Sequence, residues 1–127
     1  MRSEIQAWWQ QAKADVRTAE VNLKGERYYE AVFFCQQAVE KALKAYILRR
    51  SRNPQSPAML SHSLIFLAKQ ALLPDRFHSF LRELTSEYVS TRYRSAAEEA
   101  PKARYDRAIA TETLSATEEV VGWNGSS

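Results

Sequence analysis

With 127 residues, 45% of them apolar and a net charge of +3, the chain has material for one core and one domain spanning 1–127. Three glycines and four prolines are too few for the frequent turns of a sandwich or barrel, and a single cysteine, Cys35, excludes an internal disulfide and a cysteine-based zinc site. No apolar run exceeds five residues, so nothing spans a membrane, and the start lacks a secretory apolar stretch, which predicts a cytoplasmic protein.

Five segments carry helical periodicity. Ser3 followed by Gln6 reads as a capping box, and Ile5, Trp8, Trp9, Ala12, Val16, Ala19 and Leu23 form one apolar stripe. Gly25 is the expected left-handed terminator of this first helix. The second helix runs from about Arg27 to Arg50, with Tyr28, Val32, Cys35, Val39, Ala42 and Tyr46 on one stripe and Ala31, Phe34, Ala38, Ala45 and Leu48 on another. A helix apolar around most of its girth is central to a bundle, half of a dimer interface, or both. Gln36, Gln37, Glu40, Lys41 and Lys44 make up its expected polar side.

Pro54 and Pro57 predict a loop from Ser51 to Leu60, after which Ser61 is the expected N-cap of a short third helix with Leu64, Leu67, Ala68 and Ala71 inward. Pro74 marks the next start, and Phe77, Leu81, Leu84 and Tyr88 form the stripe of a fourth helix ending near Arg92 or Tyr93. Residues 94–101 read as a second loop or, from their Ala and Glu content, as the extension of a helix. The fifth helix is expected from near Lys102, with Tyr105, Ile109, Thr113, Ala116 and Val120 inward; Gly122 closes it and 122–127 form a mobile tail. Short connections favour antiparallel neighbours, so the fold class is all-α, an up-and-down bundle of four long helices plus one short one.

Candidate chemistry is sparse. Residues 1–95 hold 15 Lys or Arg against 9 Asp or Glu, while 96–127 hold 3 against 6. Lys41, Lys44, Arg49, Arg50 and Arg52 either attract an anion or complement a helix C-terminus. His62 and His78 lack any paired-ligand spacing, so no metal is expected, and no glycine-rich phosphate loop exists, so no cofactor is expected either. Cys35, inside an apolar run, reads as a small buried hydrophobe. Arg92-Tyr93-Arg94 either grips a phosphate and stacks on a base, or packs and pairs with Glu87, Glu98 or Glu99.

Three places resemble the HEPN domain family of small prokaryotic helical proteins. Ala31 to Ala45 is similar to its pattern A-x-F-x-x-Q-Q-A-x-E-K-x-L-K-A; Ser61-His62-Ser63-Leu64 is similar to its Ser/Thr-His-x-Leu; and Tyr88 to Tyr93 is similar to its Tyr-x-x-x-Arg-Tyr. The ribonuclease toxins of that family carry an Arg and a His separated by four to six residues. Here Arg92 is followed at those positions by Ala97, Glu98 and Glu99, and no arginine precedes His62 or His78 by that spacing. The resemblance therefore implies the non-catalytic branch, with Arg94 a departure where many relatives have Pro. It implies a minimal nucleotidyltransferase as partner, while the apolar surface of the second helix, with Phe33, Phe34, Trp8 and Trp9, predicts a homodimer or a tetramer built from it. The implied ligand is a nucleotide, held by Arg92, Tyr93, His62, Gln37, Glu40, Lys41 and Lys44. RNA as a substrate and a toxin–antitoxin role are the alternative, and a self-associating helical protein without a ligand is the third reading.

Overall fold

The computed structural model describes residues 2–85 and 105–123. Every regular element among them is helical. Helix α1 spans Arg2–Lys24 and α2 spans Tyr28–Ser51; α3 spans Leu64–Ala71, α4 is described over residues 78–85, and α5 spans Arg107–Val121. Short 3-10 turns at Pro57–Leu60 and Asp75–Phe77 precede α3 and α4. No helix of the described residues is long and apolar enough to cross a membrane.

Helix α2 is the axis of the bundle, packed against α1, α3 and α5, while α1 also touches α5. Its two apolar stripes leave little surface free, and Val32, Cys35, Val39, Leu43 and Leu48 are buried as the sequence predicts. Trp9 meets Tyr46 at 5.6 Å between ring centroids, and Asp15 meets Lys41, so numbering falls along α2 as it rises along α1: the two are antiparallel. Tyr29 lies against Tyr105 and Tyr46 against Trp123, so α2 and α5 run in the same direction. This is the up-and-down order, with α1 antiparallel to both.

Local termini depart from expectation in four ways, the first being that α1 begins at Arg2 and so contains Ser3, its expected cap. The left-handed residue after α1 is Glu26, at φ 63°, rather than Gly25. Its N–H donates to the Leu23 carbonyl at 3.1 Å and that of Arg27 to Asn22 at 2.8 Å, so carbonyl capping offsets the cost of a side chain there. The N-cap of α3 is Ser63, whose hydroxyl accepts from Phe66 N–H, while the Ser61 hydroxyl accepts from Ser63 N–H one step earlier. Finally, α5 starts at Arg107, because extended Asp106 caps it by accepting from Ile109 N–H at 2.9 Å. The inward face of α5 is correspondingly Ala110, Leu114, Thr117, Val120 and Val121; Ile109 is exposed, and Thr113 and Ala116 are half-buried. The predicted stripe ran through Ile109, Thr113 and Ala116, but burial follows the face turned to α2.

Tyr46 ties α5 to the axis. Its one hydroxyl proton is shared between the carbonyls of Val120 and Val121, at 2.7 and 2.8 Å, adding a donor to the last turn, where Val120 also accepts from the Trp123 N–H. Burial pushes its phenol well above the ordinary tyrosine range, against the opposing pull of Arg49. Gly122 then closes the helix, its N–H donating to Glu118 at 2.8 Å.

Candidate functional site

The residues expected to form the polar side of α2 are not a solvated face. Gln36, Glu40 and Lys44 are buried, Lys44 to 3% exposure, because α1 and the segment before α3 cover them. A buried ammonium and carboxylate survive only when paired. The Lys44 ammonium donates to Glu40 Oε2 at 3.1 Å, one turn earlier on the same helix. It also lies 5.3 Å from the centre of the Trp8 ring, whose negative face is a second source of stabilisation.

The same Glu40 Oε2 meets His62 Nδ1 at 3.0 Å. An ionised carboxylate can only accept, so the imidazole presents its proton at Nδ1 and keeps Nε2 for another partner. The His62 side chain is 79% exposed, which puts that second nitrogen in reach of solvent. Ser61 and Ser63 hold the histidine in place: their hydroxyls cap the turn that carries it from the Pro57–Leu60 segment into α3. Lys44, Glu40 and His62 thus form a line from the interior to the surface, cation to carboxylate to imidazole.

The remaining expected site residues divide. Lys41 is brought to Asp15 of α1 at 2.7 Å, with both side chains mostly covered. The Gln37 side-chain amide donates to Oε1 of the Gln36 side chain at 2.7 Å. Arg92 and Tyr93 lie outside the described residues. Of the basic stretch after Lys41, Arg49, Arg50 and Arg52 are exposed, as a helix end requires, and α2 ends with Arg52 in the left-handed conformation at φ 56°. Sequence reasoning missed two members of the network, Asp15 and Trp8. Asp15 carried a signal: it falls between Ala12 and Ala19 on the buried stripe of α1, where an acidic side chain needs a cation from a neighbouring helix.

Cys35 behaves as the sequence predicts. It is buried, and desolvation pushes its thiol up to about 11, with a Thr117 hydrogen bond opposing and the Glu118 charge adding to the rise. A thiol so held is protonated at neutral pH and is no nucleophile. Among the described residues no group of three or more His, Cys, Asp or Glu side chains could hold a metal ion.

A family model for the HEPN domain matches residues 5–126. Among solved structures, TT1696 from Thermus thermophilus is 30% identical, with 92% of each chain covered and a TM-score of 0.76. ST0689, an archaeal HEPN homologue, is 25% identical, with 94% of this chain and 93% of that one covered and a TM-score of 0.76. No curated protein matches the chain.

Proposed function

From the premise that the chain belongs to the HEPN domain family, we propose that it is a non-catalytic HEPN module that self-associates. In this reading it offers a nucleotide-binding or docking surface to a minimal nucleotidyltransferase. The observation that carries this reading is the Lys44–Glu40–His62 line. It holds one imidazole at the surface in a fixed orientation while its carboxylate is already neutralised from within. Such a group suits hydrogen bonding to a phosphate or a base edge. It lacks the arginine at the spacing of the ribonuclease motif.

In this proposal His62 Nε2 is the direct contact and Glu40 and Lys44 position it. Lys41 and Gln37 lie on the same stretch of α2, and Arg92 with Tyr93 supply the phosphate grip and the stacking surface. Self-association is supported by the apolar side chains left on the surface: Leu60, Phe66, Leu72 and Ile109 are all exposed. Light scattering should report a particle larger than 14.6 kDa; a monomer at micromolar concentration counts against self-association.

The test is isothermal titration of ATP into the protein, alone and mixed with a nucleotidyltransferase shown to bind it. Binding should weaken at least about tenfold in His62→Ala and in Arg92→Ala, the loss of one charge-assisted contact each. Absence of ATP binding in both settings refutes the nucleotide reading. A second reading draws on the same geometry, since a histidine oriented by a carboxylate is also a general base. RNA cleavage that disappears in His62→Ala would establish the ribonuclease alternative.

A further inference from the structure

A cavity lies at the opposite end of α1 from Gly25 and uses none of the residues discussed above as a nucleotide site. Ile5, Gln6 and Trp9 of α1, Ala45, Tyr46 and Arg49 of α2, and Gly122 and Trp123 after α5 line a half-open cleft of about 290 Å³. Three aromatic rings meet there. Tyr46 is the floor, with Trp9 at 5.6 Å and Trp123 at 5.1 Å between centroids, the latter edge-on at 84°.

The floor cannot move aside, because the Tyr46 hydroxyl is committed to both Val120 and Val121 carbonyls. The tryptophans are only half-buried, so each keeps indole surface facing outward. Arg49 sits at the rim with its guanidinium 5.2 Å from the Tyr46 ring centre. Gln6 adds an exposed amide, and no carboxylate lines the cavity among the described residues.

These features select a ligand class. Aromatic walls favour a flat ring that can stack or meet them edge to face. A guanidinium without a lining carboxylate favours an anion, which it binds through paired N–H donors. The volume is at the lower limit of ligand pockets, about 300 Å³, so one ring system with one anionic group fits and a dinucleotide does not. We propose that this aromatic cleft binds a small planar heteroaromatic ring bearing a single anionic group, with the ring between Trp9 and Trp123 and the anion on Arg49. The proposal is independent of the His62 line.

A phosphate and a carboxylate would satisfy Arg49 alike, so two probes separate the sources: adenosine monophosphate and indole-3-acetate. Binding is read by isothermal titration, on the wild type and on Arg49→Gln, Trp123→Ser and Lys69→Gln. Arg49 is exposed, so its replacement leaves the core intact, and Lys69 is an exposed control on α3. At least one probe should bind saturably. Its affinity should fall about tenfold or more in Arg49→Gln, fall also in Trp123→Ser, and hold in Lys69→Gln. The probe that binds identifies the anion. Failure of both probes overturns the proposal, and so does binding that Arg49→Gln and Trp123→Ser leave unchanged.

Discussion

Replacing Lys44 with methionine removes the cation that neutralises Glu40 while keeping the length and most of the apolar stem of the side chain. The Glu40 carboxylate, on a buried residue, then has only His62 to serve it. Breaking a buried ion pair by removing one partner costs about 3–5 kcal/mol where the survivor is fully enclosed. Here the Glu40 side chain keeps 12% of its surface and one hydrogen-bond donor, so the expected cost is lower, about 2–3 kcal/mol. In a domain of this size that lowers the melting temperature by on the order of 10 °C. The double variant Glu40→Leu/Lys44→Met removes both charges from the same covered site, and it should recover to within about 1 kcal/mol of the wild type. Urea denaturation of the wild type, both single variants and the double variant completes the cycle. If Lys44→Met costs less than about 0.5 kcal/mol, or if the double variant loses as much as the two singles combined, the pair is not coupled in the folded protein.

Tyr46→Phe leaves the Val121 carbonyl without its hydroxyl donor, while that of Val120 keeps the Trp123 N–H at 3.2 Å, and should cost about 1–2 kcal/mol in chemical denaturation with the helix content of the fold retained. Glu118 has its carboxyl pushed above its ordinary 4.5, first by burial and then by hydrogen bonding and charge from Glu20, in a cleft that also holds Lys13 and Arg17. The folded state therefore holds the proton more tightly than the unfolded chain. The resulting stability is fully present below the unfolded value and is lost as pH rises through the folded one. Melting temperatures recorded from pH 4.5 to neutrality should show this decline in the wild type and a shallower one in Glu118→Gln; identical profiles would remove the Glu20–Glu118 contact from the account. Cys35 should resist a thiol reagent at neutral pH until the protein is unfolded, and rapid labelling of the native protein would contradict its burial.

The helical class, the central place of α2 and most of the core were legible in the order of residues. Those follow from periodicity and from an apolar girth that only a surrounded helix can bury: Val32, Cys35, Val39 and Leu43 needed no partner to be recognised. Motif resemblance also brought His62, Glu40 and Lys44 into one candidate site. How the polar side chains of α2 are used depends instead on the packed bundle. Local spacing makes Glu40 and Lys44 neighbours, but it takes α1 overhead to bury them, Trp8 to meet the ammonium and the turn before α3 to deliver His62. The start and face of α5 were set the same way. Asp106 fixed the first turn by bonding to Ile109, and contact with α2 chose Ala110 and Leu114 over Ile109. Periodicity shows that a helix has an inward face, but only its neighbours determine which side chains sit closest to the core, because burial is a property of pairs of elements and not of one.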